Sequence, residues 1–289
     1  MDIEKCRALL CILESGSLSA AAEKLGYTPS GISRMLASLE QDAGFPLLTR
    51  SRRGVASTAE CEKLLPVFRE LSYWGEQYAQ LSAQISGVEV GEISIGTSYR
   101  TYYPWLTQLI SEFFQSYPKV KIHIVEGNSS ELVLAMEMHQ VDLCIISRRE
   151  GDFLWIPLQE NPVVAWLPPD HPYVQEPCVP LNAFASEPYI DTYPDQDTDN
   201  ARIFRSNHIK PNTCFSTTDN YATYNLVGAG LGISLNNGLN ADGWNGNVVI
   251  KPLDPPQTVT IGIAVPSMDI LSPASRRFVS FVKNHFDRL

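Results

Sequence analysis

The chain has no run of 18 or more apolar residues, which excludes a membrane-spanning helix. It also lacks the basic and then apolar opening of an export signal: Met1, Asp2, Ile3, Glu4 and Lys5 are charged and mixed, which points to the cytoplasm and to no membrane partner. Cysteine pairs are missing as well. Cys6, Cys11, Cys61, Cys144, Cys178 and Cys214 are scattered with no CxxC, so reduced and mostly buried thiols are expected. A redox pair such as Cys178 with Cys214 stays open as the alternative. His123, His139, His171, His208 and His285 show no HExxH or other paired spacing, and neither a GxSxG nor a Walker motif occurs. No metal, no cofactor and no catalytic residue is therefore expected. A dinucleotide fingerprint is excluded too: it would need glycine at Ile233, and Gly228 follows a helical rather than a strand pattern. The acidic stretch through Asp191, Asp195, Asp197 and Asp199 lacks the central glycine and terminal glutamate of a calcium loop, so it reads as an exposed loop.

A surplus of positive charge is absent overall: the net charge is −10 over 289 residues. Residues 1–60 are balanced, with seven basic and seven acidic side chains, so the whole excess of acid lies in the remainder. Within residues 45–58 there are three arginines and no acid. Contact with phosphate depends on such local clusters, because charges beyond about 8–10 Å are screened in physiological salt. The length suits two or three folded units.

Three helices are predicted in the first sixty residues. The first covers residues 3–13, with Leu9, Leu10, Ile12 and Leu13 as its apolar face and Gly16 ending it. Ser17 suits the cap of a short second helix over residues 19–25. Thr28 and Pro29 then open a third, since threonine caps a start and proline is preferred at the first position. On that helix, which runs to about residue 41, Ile32, Leu36 and Leu39 recur at i, i+4 and i+7 and must face a core, with Met35 beside them. The opposite face carries Ser30, Ser33, Arg34 and Ala37, small enough for close approach to the major groove; an ordinary amphipathic helix with a small outer face is the bland reading. Residues 45–58 read as two short strands joined by a basic turn. Such a hairpin after a helix-turn-helix is a wing, whose Arg50, Arg52 and Arg53 can reach phosphate or the minor groove.

Gly16, Ser17, Leu18, Ser19 and the run through Leu25, then Pro29, Ser30, Gly31, Ile32, Ser33 and Arg34, then Leu39, Glu40, Gly44, Leu47, Leu48, Thr49, Arg50, Thr58 and Ala59 resemble the N-terminal signature of the LysR-type transcription regulators. The likeness covers nearly all of residues 1–65. It implies DNA contacts at Thr28, Pro29, Ser30, Ser33, Arg34, Arg50, Arg52 and Arg53. Two positions depart from the pattern: Gly31 stands where the family usually has alanine, and Leu48 where it commonly has phenylalanine.

Between residues 60 and 86, Leu64, Val67, Leu71, Trp74, Tyr78, Leu81 and Ile85 recur in alternating steps of three and four, the seam of a coiled coil. Pro66 lies near the helix start, and residues 87–91 read as a hinge. The seam favours self-association, and the resemblance implies a homodimer or homotetramer on two-fold symmetric double-stranded DNA, with RNA polymerase as a further partner.

From residue 92 the pattern alternates strands and helices: a strand at 93–95, a helix at 104–117, a strand at 120–125, a helix at 130–139 and a buried strand at 141–147. This βαβαβ order implies a parallel sheet. Prolines around residues 161–172 mark the crossing into a second lobe with helices at 200–207 and 220–227 and strands at 214–216, 233–235 and 248–251. A strand at 258–265 returns and a helix at 273–288 closes the chain. The expected division is 1–59 for the winged helix-turn-helix, 60–90 for the linker helix and 91–289 for the sensor, with lobe I at 91–162 and 265–289 and lobe II at 163–264. Two such lobes resemble the periplasmic-binding-protein-like α/β sensor of the LysR-type regulators, though Ser234, Leu235, Asn236 and Asn237 replace the family's usual apolar-proline ending.

In sheets of this kind, ligands bind beyond the carboxyl ends of the strands, near helix N-termini. Those points carry Ser98, Tyr99, Arg100 and Thr101, then Asn128 and Ser129, then Ser147 and Arg148, and Thr218 on the other lobe. Hydroxyl donors and one or two arginines point to a small anionic or carboxylate effector; solvated arginines and hydroxyls that merely cap helices are the alternative. Tyr99, Tyr102 and Tyr103 either stack on a ligand or pack the lobe. The function expected is a non-enzymatic, ligand-responsive DNA-binding regulator. The competing reading is a cytoplasmic solute-binding or enzymatic α/β protein with a helical N-terminus that does not bind DNA.

Overall fold

Each of the first three helices begins on a side chain that accepts a backbone N–H and ends on a glycine. The computed structural model describes residues 2–51, 54–85, 90–98, 103–241 and 244–286, less the side chains of residues 50, 51, 104, 239, 241, 285 and 286. In it, α1 (Ile3–Ser15) is capped by Asp2, α2 (Leu18–Leu25) by Ser17 and α3 (Pro29–Ala43) by Thr28. Gly16 and Gly44 close α1 and α3 with φ of 65° and 83°, a region that costs other residues about 1–2 kcal/mol. The chain divides into two units. The first holds Met1–Gly91 with the short segments Glu137–Gln140 and Ser272–Ala274, and the second holds the rest.

The first unit is built around one apolar cluster. Leu9 and Ile12 of α1, Ala21 and Ala22 of α2, and Ile32, Leu36 and Leu39 of α3 are buried together, with Met35 packed at the edge. Strands β1 (Leu48–Ser51) and β2 (Gly54–Ser57) pair antiparallel, Arg50 opposite Val55. Leu47 and Leu48 are both buried in the cluster, so leucine at 48 serves as a core residue. Helix α4 (Ala59–Ile85) starts on Thr58, whose Oγ1 accepts the Cys61 N–H at 3.1 Å, and it continues through Pro66. At 27 residues it extends about 40 Å. Its buried face is Cys61, Leu65, Phe68 and Ser72.

This divides the expected coiled-coil seam. Leu64 and Leu71 lie half-buried against the N-terminal cluster, whereas Val67, Trp74, Tyr78, Leu81 and Ile85 are exposed. The three-four spacing alone cannot tell a residue at the edge of its own core from one facing outward. Most of the hinge expected at 87–91 lies outside the described residues.

The second unit has strands β3 (Gly91–Thr97), β4 (Val120–Glu126), β5 (Leu143–Ser147), β6 (Leu154–Leu167), β7 (Val179–Pro180), β8 (Tyr189–Thr192), β9 (Thr213–Thr217), β10 (Ser234–Asn237) and β11 (Val249–Val265). Its helices are α5 (Tyr103–Ser116), α6 (Ser129–Glu137), α7 (Asp199–Ser206), α8 (Asn220–Gly228) and α9 (Pro273–Phe286). The main sheet runs β10-β6-β11-β5-β3-β4, with β7 also on β11, and β8 and β9 form a separate parallel pair. Strands β3 and β5 are parallel, as the βαβ pattern required.

Strand β6 is the longest strand that sequence reading missed. Pro162 and the prolines after it made the segment look like a boundary, because proline gives no N–H to a ladder. Pro162 nonetheless lies in the pairing, opposite Thr258 of β11, as does Pro157 opposite Gly262, with a register shift beside Gly262. The segments expected as separate strands at 248–251 and 258–265 are one strand, β11, with a second irregularity between Pro252 and Gln257. Since Ile261–Ala264 pairs with Cys144–Ser147 of lobe I, the return to that lobe precedes position 265, earlier than the boundary expected. Thus β6 and β11 run antiparallel through both lobes. Leu132, Met136, Cys144 and Ile146 fill lobe I; Ala165, Phe184, Tyr189 and Leu235 fill lobe II.

Two outcomes follow from this packing. Ile32 is fully buried, so Ile32→Ala is expected to lower stability in chemical denaturation by about 2–4 kcal/mol. Alanine at half-buried Ser33, on the outer face, should stay within about 0.5 kcal/mol; equal losses would mean the faces of α3 are misassigned. Asp191 on β8 has its carboxyl raised above the ordinary value by burial and then by the charge of Asp195. The folded chain therefore holds this proton more tightly than the unfolded one. Stability from the protonated form is complete below pH 3.8 and is lost as pH rises through the folded pKa. Asp191→Asn should raise the melting temperature at pH 7 and give no advantage below pH 3.8; an equal gain at both would contradict this account.

Candidate DNA-binding face and effector cavity

Thr28, Pro29, Ser30 and Arg34 are exposed on α3 and Ser33 is half-buried, all on the side away from Ile32, Leu36 and Leu39. The start of the helix is tightly held. Thr28 Oγ1 accepts the Gly31 N–H at 3.1 Å and lies 3.1 Å from Ser30 Oγ. A Cβ at position 31 would stand 3.2 Å from that same Thr28 oxygen, which gives the glycine there a local reason. Arg34 Nε donates to the Ser30 carbonyl at 3.3 Å, so its stem lies along the helix and the guanidinium faces outward.

The wing is tied to this helix by a carboxylate. Glu40 Oε1 accepts the backbone N–H groups of Leu47 at 2.8 Å and Leu48 at 3.3 Å. Bonds to a charged acceptor of this kind are worth about 1.5–3 kcal/mol. The other strand is anchored where Val55 N–H donates to the Gly16 carbonyl at 3.2 Å, at the turn between α1 and α2. The backbone of Arg50 sits in β1, but its side chain, and all of Arg52 and Arg53, lie outside the described residues.

A cavity of about 580 Å³ opens between the lobes of the second unit. Of the residues expected there, Ser98, Asn128 and Ser129 line it. Tyr99, Arg100, Thr101 and Tyr102 lie outside the described residues, and Tyr103 opens α5 half-buried. Ser147 is fully buried just behind the wall. Its hydroxyl is 3.1 Å from Ser129 Oγ, which is itself 3.0 Å from Ser98 Oγ.

Two expected residues are displaced by one position. Arg148 is exposed and off the cavity wall, while Arg149 lines it and is buried. Side chains alternate along an extended chain, so Arg149 and not Arg148 follows Ser147 inward. Thr218 is exposed and off the wall, while Asp219 lines it and caps α8, accepting the Ala222 N–H at 2.8 Å.

Arg149 forms the densest contact in the cavity. Its Nη1 donates to Asp199 Oδ1 at 2.9 Å and to Ser147 Oγ at 2.5 Å, and its Nε donates to Ser130 Oγ at 3.0 Å. The Ser147 hydroxyl donates onward to Asp199 at 2.7 Å. Asn128 Nδ2 reaches across to Gln196 Oε1 at 2.8 Å, and Ser130 Oγ donates to Asp197 Oδ2 at 3.1 Å. Hydrogen bonds, chiefly from Arg202, hold the Asp197 carboxyl below its ordinary pKa.

Sequence reading missed most of the second-lobe wall: Asp199, Asn200, Asn220, Tyr221, Asn236 and Trp244. One signal for it was present. Asn236 and Asn237 are buried on β10 where an apolar-proline ending was the norm, and buried amides need a partner. The acidic stretch taken for an exposed loop instead contributes β8, the cavity wall and the start of α7.

Among the described residues no group of three or more histidine, cysteine or carboxylate side chains could hold a metal. Four cysteines are buried, Cys178 is half-buried and Cys214 exposed, and all six are free thiols. Burial pushes Cys61 up to about 11 and Cys144 up to about 12, which leaves them unreactive.

The model for the bacterial regulatory helix-turn-helix protein, lysR family, matches residues 3–62, and that for the LysR substrate binding domain matches residues 86–287. Among curated proteins, the uncharacterized HTH-type transcriptional regulator YvbU of Bacillus subtilis is 26% identical over 289 residues, covering 99% of each chain. Among solved structures, full-length OxyR C199D from Pseudomonas aeruginosa has a TM-score of 0.74 at 19% identity, over 99% of this chain and 94% of that one. Full-length CbnR complexed with its target DNA has a TM-score of 0.65 at 18% identity, over 98% and 99%. The Synechocystis CcmR regulatory domain in complex with 2-PG has a TM-score of 0.61 at 20% identity, over 69% and 99%. The helix-turn-helix match makes the N-terminus a DNA-binding unit and not an incidental helical segment. With both units matched in order, the chain belongs to the LysR family of DNA-binding transcription regulators.

Proposed function

We propose that the exposed face of α3 enters the major groove, with Ser30, Ser33 and Arg34 toward base edges and Thr28 and Pro29 at the backbone, while Arg50, Arg52 and Arg53 of the wing hold phosphate. The observation that carries this reading is the contrast across α3: three fully packed apolar side chains inside, and small side chains with one arginine on the exposed face from Pro29 to Ala37, ahead of Gln41 and Asp42. The effector occupies the interlobe cavity, and its binding changes the geometry of the DNA-bound assembly that RNA polymerase meets. The protein acts in the cytoplasm by binding, not by catalysis; no described helix is long and apolar enough to cross a membrane. A ligand shifts such an equilibrium only by its difference in affinity for the two states.

Two copies associate through α4. Val67, Trp74, Tyr78, Leu81 and Ile85 leave an apolar stripe exposed along a helix whose buried residues all lie between Cys61 and Tyr73. Spacing of three and four residues fits a second helix of the same kind.

Gel-shift titration with DNA from upstream of the gene tests the first claim. Arg34→Ala is expected to weaken binding by about 1–3 kcal/mol, roughly five-fold to 150-fold, with relaxed sequence preference. Unchanged affinity and unchanged sequence preference would remove α3 from the groove. For α4, Tyr78→Asp with Leu81→Asp should convert the protein to monomers in analytical ultracentrifugation and weaken DNA binding with it. A double variant that keeps the wild-type mass would rule the stripe out as the interface.

A further inference from the structure

An anion entering the cavity would seek two positive features at the lobe I wall, and both are already occupied by the chain itself. The guanidinium of Arg149, only 4% exposed, is paired with Asp199, which is 18% exposed. The same Asp199 oxygen accepts the Ser147 hydroxyl at 2.7 Å, so the carboxylate sits where the carboxyl end of β5 presents its donors. Nε donates to Ser130 Oγ, Nη1 also lies 3.1 Å from the Arg148 carbonyl, and Nη2 donates to the Asp197 carbonyl at 3.3 Å. The N-terminus of α6 is closed as well. Asn128 Oδ1 accepts the Glu131 N–H at 2.9 Å while Glu131 Oε2 accepts the Asn128 N–H at 3.2 Å, a reciprocal cap.

The rest of the described wall adds no cation. Glu126, Glu131 and Asp219 line it with Asp199, and Arg149 is the one cation among the described lining residues. Asn200, Asn220 and Asn236 offer amides, and Tyr221 and Trp244, with ring centroids 5.2 Å apart, offer aromatic surface.

We propose that Asp199 is a resident carboxylate filling the anion seat, and that it sets the specificity of the cavity for an uncharged or amine-bearing effector rich in hydroxyl or amide groups. This rests on the cavity being the effector site. It also reverses the anionic class expected from the sequence, which leaned on Arg100, outside the described residues, and on Arg148, which is off the wall. A carboxylate ligand would have to displace Asp199 or enter beside it, against like charge. The position of Asp199 at the start of α7 holds it there, since a negative charge is favoured at a helix N-terminus.

The test uses the full-length chain and two probes, inorganic phosphate and acetate, titrated by calorimetry at ionic strength matched with chloride. Wild type should show no saturable binding. Asp199→Ala leaves a buried guanidinium without its carboxylate, so it should bind at least one probe saturably, roughly ten-fold or more tighter than the weakest affinity the wild-type titration would detect. The gain should vanish in Asp199→Ala with Arg149→Met. DNA binding in a gel shift serves as the check of folding for each variant, and Asp199→Asn, which keeps the shape of the side chain, replaces the alanine if that variant does not fold. Saturable binding by wild type that Arg149→Met abolishes would overturn the proposal, as would equal affinities in wild type and the Asp199 variant. If the variant gains anion binding but its DNA complex does not respond to the anion, the seat stands and the reading of the cavity as the effector site falls.

Discussion

A side chain that must lie in a DNA groove has to be presented on a rigid support and yet leave that support slim, and α3 satisfies both demands through one ladder of contacts. Ile32, Leu36 and Leu39 bury its inner face among residues of α1 and α2, while Thr28 fixes its first turn by accepting the Gly31 N–H. The same packing leaves the outer face free of large groups. Glu40 then carries the order of α3 into the wing, because one carboxylate oxygen accepts both Leu47 and Leu48 N–H groups. The two surfaces proposed to meet DNA, the outer face of α3 and the wing, are thus set by a single helix, and displacing α3 would misplace both.

The second unit depends on a different device. Strands β6 and β11 pair with each other through both lobes, so the lobes share a continuous antiparallel ribbon. The irregularities in that ribbon, between Pro252 and Gln257 and between Ile261 and Gly262, are where a ladder of this kind bends most readily. Across the cleft, Arg149, Ser130 and Asn128 of one lobe meet Asp199, Asp197 and Gln196 of the other. A cavity closed by polar contacts of this sort is one that a ligand can reshape, since each hydrogen bond broken between the lobes can be replaced by one to the ligand. An apolar seam would offer no such exchange.

Much of this was legible in the residues, and the failures have physical causes. The faces of α3 followed from a 3.6-residue period and its start from Thr28 and Pro29, which act locally; its end, expected near residue 41, falls at Ala43, where Gly44 caps it. Strand β6 was hidden because Pro162 signals interruption, whereas it is absorbed within a long strand. The choice of Arg148 over Arg149 failed for want of one step of alternation beyond Ser147. Leu64 and Leu71 were grouped with the outward stripe because helical spacing fixes which residues share a side of α4, not how far the domain's own core extends around it. The second-lobe wall was hardest to see. Its asparagines come from β10 and from the starts of α7 and α8, brought together only by tertiary contact.

The uneven distribution of charge ties the two units together chemically. The balanced N-terminal region can approach phosphate because its three wing arginines are unopposed by any acid within residues 45–58. The acid that makes the whole chain −10 lies elsewhere, and part of it is placed with purpose: Asp199 neutralises a buried arginine, Asp219 caps α8 and Glu131 closes α6. A carboxylate that caps a helix or pairs a guanidinium inside a cleft also repels any anion that enters. DNA is the largest anion the protein meets. A second unit whose acids are fixed in this way discourages the polyanion outside its own groove contacts and, by the same electrostatics, small anions in its cavity. Affinity for one anionic partner and rejection of others are then separated by location within one chain, not by its overall charge.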